Sequence, residues 1–199
     1  RWATHGIPSN LNSHPHTNDD ETISLVHNGI IENYRELKEE LIQKGYHFQS
    51  ETDSEVVVHL LDDYYDGDLF EAVKKVLKRI EGSYALCIVS TLEPNKVIVA
   101  KKDSPLIIGK ADGAYVAASD IPALLEYTKD VYFLADYEMA ILQEDHIDFF
   151  THEGEPIVKE LVNVPYDLEA AKKDGYDTFM LKEIYEQPHV IAETLSRVQ

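Results

Sequence analysis

Hydrophobic spacing changes period once along this chain, dividing it into a helical front and a strand-rich back. From Asn33 to Gly45 the apolar residues Tyr34, Leu37 and Leu41 fall at helical spacing. A helix is predicted there, with Asn33 as N-cap, Glu36 at the capping-box position and Gly45 as its stop. The same signature places Thr52 and Glu55 ahead of Val56, Leu60, Leu61 and Tyr64. It recurs with Asp68 and Glu71 ahead of Leu69, Val73, Val76, Leu77 and Ile80. Asp66-Gly67 is the turn between those two helices. Residues 22–26 alternate and are β-branched, predicting a strand, and residues 46–48 are a short candidate strand.

After Gly82 the period falls to two. Residues 83–90, 96–101, 106–109, 114–118, 131–133, 137–142 and 147–151 read as strands. Asp112-Gly113 and Glu93-Pro94-Asn95 supply turns, and a short helix is predicted at 122–127. Helices followed by a run of strands predict an α+β domain, two antiparallel sheets under helices. Residues 166–173 and 184–197 read as helical, with Gly175 and Pro188 as breaks. Two parts are therefore expected, a domain over 1–165 and, over 166–199, a linker that leads to a further domain.

Composition narrows the function class. The 199 residues are ample for a core. No apolar run approaches the ~18 residues of a membrane span. A net charge of -19 repels phosphate backbones and anionic lipid, so neither nucleic acid nor membrane is an expected partner. The single cysteine precludes an internal disulfide and fits a reducing compartment, the cytoplasm by default.

Candidate chemistry sits in short motifs. Glycine-rich phosphate loops are absent, so no nucleotide cofactor is expected. His14-Pro15-His16, near Asp19, Asp20 and Glu21, comes nearest to a metal cluster. The proline is expected to hold the two imidazoles apart, and no metal is expected. Cys87 lies mid-strand among apolar residues and reads as inert packing. His27-Asn28-Gly29 is open to two readings. It is a two-residue hairpin turn, or a strand end presenting an amide side chain and a bare N–H to a developing oxyanion. Ile30-Ile31 leads straight into a helix, which argues against the hairpin. Asp53 is either a first-turn carboxylate favoured by the helix dipole or a fixed anion for a substrate ammonium. Arg1 would complement the second reading by gripping a carboxylate through paired hydrogen bonds.

Taken together, Arg1-Trp2-Ala3-Thr4-His5-Gly6, His14-Pro15-His16, residues 27–33 (HNGIIEN) and Ser50-Glu51-Thr52-Asp53 resemble a known family. Residues 81–85 (EGSYA) and 179–188 (FMLKEIYEQP) match as well. The family is the glutaminase, or class II glutamine amidotransferase, domain of the aminotransferases that make glucosamine 6-phosphate from fructose 6-phosphate. The resemblance implies an N-terminal-nucleophile hydrolase sandwich, two antiparallel sheets between helical layers. It implies that Asn28 and the Gly29 N–H form an oxyanion hole. Arg1 would hold the α-carboxylate of glutamine, Asp53 its α-ammonium, Thr4 and His5 would line the pocket, and Trp2 would pack at the ammonia exit. The family's nucleophile is a cysteine upstream of the Arg-Trp-Ala-Thr-His-Gly motif. The chain reads as cut at both ends, without that cysteine, the first strands, or the sugar-isomerase domain that would follow. Inactivity alone, exposed apolar sheet faces, and a homodimeric, cytoplasmic parent are the matching expectations. The glutaminase half of another class II amidotransferase, and a glutamine-binding module without a nucleophile, are the alternatives.

Overall fold

The computed structural model describes residues 5–165 and 175–196, and contacts divide the chain at Val164. The first unit runs β1 (His16–Thr17), β2 (Ile23–Ile31), α1 (Tyr34–Gln43), α2 (Glu55–Tyr64), α3 (Leu69–Leu77), then β3 (Gly82–Ser90) and β4 (Val97–Lys102). It continues with β5 (Ile107–Ala111), β6 (Ala114–Ala118), β7 (Asp130–Phe133), β8 (Glu138–Leu142), β9 (Ile147–Thr151), β10 (Pro156–Ile157) and β11 (Val162–Asn163). Seven strands make one antiparallel sheet, ordered β1-β2-β3-β4-β8-β9-β10, and four make a second, β11-β7-β5-β6. The α+β class and the paired antiparallel sheets follow the sequence expectation.

Two cores separate three layers. Leu25 and Ile31 of β2 and Leu86 and Ile88 of β3 pack with Leu41, Leu60 and Val73 of the helices. On the other face of the large sheet, Val99, Ala140 and Phe149 meet Ile108 of the small one, with Leu106 and Leu134 from the residues that flank β5 and β7. Among the described residues of this unit, the outer face of the small sheet carries no helix. Residues 121–128 form turns there, with Leu124 buried near Gly109, where a short helix was expected. On the inner face of β2 and β3, Val26, Ile30 and Val89 stay about 40% exposed.

α2 explains the arrangement of the helical layer. All seven residues from Glu55 to Leu61 are buried, because α1 and α3 flank the helix while β1 and β2 lie beneath it. A helix enclosed this way is apolar around most of its girth, and its polar members Glu55 and His59 must find partners inside.

The three predicted caps fare differently. Asp68 caps α3 as expected, accepting the Phe70 and Glu71 N–H groups at 2.9 and 3.2 Å. Asn33 does not cap α1 with its side chain. Its amide donates to the Arg79 carbonyl at 2.8 Å and accepts the Glu81 N–H at 3.0 Å, tying the start of α1 to the α3–β3 junction. Thr52 is not a cap either, since α2 begins at Glu55 after Ser54. An i, i+3 polar pair is compatible with capping, but Asn33 is taken by backbone groups at the α3–β3 junction and Thr52 by the Ser50 hydroxyl and the His16 ring.

Other expectations are corrected in the same way. Residues 46–48 have no ladder partner; Tyr46 and Phe48 instead set their rings against His59, at 5.3 and 4.7 Å. The strand expected at 22–26 extends to Ile31 and carries Asn28-Gly29 within it. In the second unit, α4 (Phe179–Ser196) runs through Pro188, which therefore does not break it. The helix expected at 166–173 lies outside the described residues.

The bridging role of Asn33 is testable. Asn33→Asp would preserve an N-cap. Here it sets a carboxylate against the Arg79 carbonyl, so stability should fall by about 1–3 kcal/mol. Urea unfolding midpoints check this; an unchanged midpoint would return Asn33 to a capping role.

Candidate active-site cleft

β2 supplies the floor of the cleft, and its backbone alternation decides what faces outward. The Ile23 N–H is taken by Asn18 Oδ1 at 2.9 Å and the Ile31 N–H by Asp53 Oδ2 at 2.8 Å, both away from β3. The Glu32 N–H instead crosses to the Glu81 carbonyl on the β3 side at 2.9 Å. In an antiparallel ladder amides alternate between edges, so the odd-numbered ones, Gly29 included, point away from β3. Gly29 and Asp53 thus approach the same edge of one strand.

A cleft of about 510 Å³ opens along that edge. Asn28, Gly29, Asp53, Ser54 and Ser83 are among its walls, with Ser104 and Asp120 at the far side. The Asn28 side chain is exposed and hydrogen-bonds none of the other described residues. A second hollow, of about 270 Å³, shares His27 and Asn28 and reaches Cys87.

Gly29 is required by both its backbone and its neighbour. Its φ is +137°, and a Cβ there would lie 2.1 Å from the Ser83 carbonyl oxygen of β3. The Asn-Gly pair is neither a hairpin turn nor a strand end. It is the point of closest approach between β2 and β3, paired Asn28 with Ala85 and Gly29 with Tyr84.

Asp53 lies before α2, not inside it, and its side chain is 1% exposed. One oxygen accepts the Ile31 N–H, and the other lies 3.5 Å from His5 Nδ1. The His5 ring also meets Tyr34 edge-on at 4.9 Å. The first-turn helix-dipole reading is therefore replaced by a long-range one. Asp53 is a buried carboxylate shared between β2 and the amino-terminal segment. Arg1, Trp2 and Thr4 lie outside the described residues.

The segment carrying Asp53 is held residue by residue. Asn12 Oδ1 accepts the Glu51 N–H at 2.9 Å, and Gly6, at φ +72°, leaves room for the Asn12 amide. Thr52 Oγ1 lies 3.1 Å from His16 Nε2, and Ser54 Oγ lies 2.9 Å from His27 Nδ1. Glu55 accepts the Gln49 and Ser50 N–H groups at 2.7 and 2.8 Å and the Ser50 hydroxyl at 2.6 Å. Burial raises the Glu55 carboxyl, but the nearby His59 ring, the Ser50 hydroxyl and the two amides outweigh it and hold the pKa at about 2. These buried polar side chains were not recognised as a group in the sequence. The only signal was the run of polar residues around Asp53, in Ser50, Thr52, Ser54 and Glu55.

For metals, the expected geometry is corrected. The His14 and His16 rings do not point apart but meet edge to face at 5.5 Å, across a cis His14–Pro15 bond. His16 is engaged by Thr52, and among the described residues no three His, Cys, Asp or Glu side chains converge. Cys87 stands in β3 opposite Val26 and Val99, and burial pushes its thiol pKa up. That raises the cost of a thiolate and leaves it a poor nucleophile.

A family model described as a glutamine amidotransferase domain matches residues 3–126, well over half the chain. The chain belongs to the glutamine amidotransferase domain family. The match takes in β2, the cleft and the whole segment around Asp53. Curated relatives extend further along the chain. It is 54% identical over 196 residues to the glutamine–fructose-6-phosphate aminotransferase of Clostridium acetobutylicum, and 51% identical over 195 residues to that of Aquifex aeolicus. Each match covers 98% of this chain, which spans about a third of those relatives (32% and 33%). Among solved structures, it is similar to glutamine phosphoribosylpyrophosphate amidotransferase from B. subtilis complexed with ADP and GMP. That match has a TM-score of 0.64 and 27% identity, covering 76% of this chain and 33% of the other. The amidotransferase domain has the N-terminal-nucleophile hydrolase architecture that the motifs implied.

Two predictions follow from the cleft. Gly29→Ala should destabilise the amidotransferase domain by more than about 2 kcal/mol, adding a backbone clash to strain at positive φ. Gly113→Ala is the control, since Gly113 also has positive φ but open space around it. Equal urea midpoints for the two variants would contradict the close approach. For pH, Glu55 has an ordinary value of 4.5 and is held at about 2 in the folded chain. Between those values the unfolded chain binds the extra proton, so its contribution to stability is complete above pH 4.5 and is lost as pH falls toward about 2. Urea unfolding at stepped pH should show that loss in the parent and a shallower one in Glu55→Gln.

Proposed function

We propose that this chain is the glutamine-hydrolysing part of a glutamine–fructose-6-phosphate aminotransferase. The observation that carries the reading is the meeting of Asn28, Gly29 and the buried Asp53 carboxylate in one cleft. The extent of identity to aminotransferases over nearly the whole chain supports the choice of acceptor.

In this mechanism Asp53 receives the α-ammonium of glutamine and Arg1 its α-carboxylate. Thr4 and His5 complete the pocket, and Trp2 lies toward the ammonia exit. The nucleophile is the thiol of an amino-terminal cysteine of the parent enzyme, with its own α-amino group as base. Cys87 does not serve, being mid-strand with a raised pKa. Sulfur adds to the side-chain carboxamide carbon, and the oxygen takes up negative charge between Asn28 Nδ2 and the Gly29 N–H. Collapse breaks the C–N bond. The nitrogen leaves as ammonia after taking the thiol proton through the α-amino group, and a glutamyl thioester remains. Water then hydrolyses the thioester to glutamate and regenerates the thiol.

Ammonia passes to a sugar-isomerase domain of the same parent chain, where fructose 6-phosphate becomes glucosamine 6-phosphate. Residues 166–199 belong to the linker and the start of that domain. The parent works as a cytoplasmic homodimer. Similarity to the phosphoribosylpyrophosphate enzyme favours, as a second reading, the glutaminase half of another amidotransferase. The acceptor that raises glutamine turnover, fructose 6-phosphate or another, separates the two.

In the full-length enzyme, Asn28→Ala should lower kcat for glutamine hydrolysis by about 10²–10³-fold while leaving KM near its parent value, because the oxyanion exists only in the transition state. Steady-state glutaminase kinetics measure it, and an unchanged kcat would remove Asn28 from that role.

A further inference from the structure

Glu55 is buried, charged and absent from the chemistry above, yet it is the most heavily bonded carboxylate near the cleft. It is the first residue of α2, and its side chain reaches back across the segment that precedes the helix. Oε1 accepts the Gln49 N–H, while Oε2 accepts both the N–H and the hydroxyl of Ser50. Ser50 Oγ in turn accepts the Thr52 N–H at 3.2 Å and lies 2.9 Å from Thr52 Oγ1. Residues 50–55 therefore close on themselves, with Asp53 inside the closed segment. The His59 ring, 1% exposed and one turn along α2, lies 3.7 Å from Oε1 and is flanked by Tyr46 and Phe48.

The two neighbouring carboxylates differ in what they have left to offer. Glu55 has three hydrogen-bond donors and an imidazole beside it, a complete set for a buried anion. Asp53 has one backbone donor and a more distant His5, so it retains accepting capacity toward the cleft. One anion is saturated by its own chain, the other poised for a ligand.

We propose that Glu55 is the positioning residue for Asp53: it clamps residues 49–50 to the start of α2, fixing the loop that delivers the Asp53 carboxylate to Ile31 and the cleft. The proposal rests on the assignment of Asp53 to the glutamine ammonium. An anion that grips the ammonium equally in substrate and transition state contributes uniform binding, so slackening its loop raises KM and spares kcat.

The test uses the full-length protein carrying Glu55→Gln. A carboxamide offers only one accepting oxygen, so its NH2 group must oppose either the Gln49 or the Ser50 donors and the clamp opens on one side. KM for glutamine should rise about tenfold, with kcat kept within about threefold. Hydrogen exchange followed by mass spectrometry supplies a readout independent of activity. The Ile31 amide should exchange at least about tenfold faster, while Val99 in the distant β4 exchanges as before. Should Glu55→Gln not fold, Ser50→Ala removes one donor from the same clamp, and about a threefold rise in KM with faster Ile31 exchange is expected. An unchanged KM, or an Ile31 amide protected as in the parent, overturns the proposal. A parent enzyme that does not hydrolyse glutamine would instead defeat the functional reading, and Ile31 exchange alone would then decide the positioning role.

Discussion

The hydrogen bond from the Ile31 amide to Asp53 ties the sheet to the segment that leads into α2, beside the cleft. It satisfies an outward N–H at the end of β2, where among the described residues no strand pairs on the side away from β3. It also gives a buried carboxylate the donor without which burial would be prohibitive. Because successive outward amides along a strand are about 7 Å apart, the bond also sets the distance from Asp53 to the Gly29 N–H. In the proposed reading, that interval receives the ammonium and carboxamide ends of glutamine. The spacing is a property of β geometry, imposed on the ligand by the strand.

A single bond would not hold an anion in place, and the chain does not rely on one. Asn12, His16, His27 and Glu55 come from four stretches of sequence, and each engages a different residue of the Asp53 segment. Such a network costs conformational entropy during folding and returns it as preorganisation, since the socket need not be assembled by the substrate. It also accounts for a helix as buried as α2 carrying Glu55 and His59 among its valines and leucines. The apolar face packs the layer, and the polar first turn fastens the loop.

Periodicity made the layers legible before the coordinates did, because sheets and helices here are long enough for the solvent boundary to print itself on the sequence. β3, α1 and α3 lie close to where their apolar spacing put them. The two-residue strands β1, β10 and β11 have no period to read, and their pairing depends on neighbours far along the chain. Caps were legible only where competition was absent. Asp68 is exposed and free to close its own helix, whereas Asn33 and Thr52 were drawn to partners more than thirty positions away. Motif resemblance pointed to Asn28, Gly29 and Asp53, which line one cleft, but not to the reason for the glycine, nor to Glu55. Both depend on the approach of backbone segments that no local pattern records.

The register of β2 against β3 is what keeps these groups in their places. Asn28 faces the space between the sheets and His27 the helices, so a shift of one residue would bury the amide under α2 and turn the imidazole outward. Two glycines resist that slip. A Cβ on Gly29 would meet the Ser83 carbonyl at 2.1 Å, and one on Gly82 would meet the Ile30 carbonyl at 2.2 Å. The two backbones approach so closely here that only residues without side chains fit both positions. Any displaced register would bring a side chain into one of them. On the opposite edge, the alternation of the ladder turns the Gly29 amide away from β3. The glycine therefore fixes the alignment of the strand that carries this donor beside Asn28.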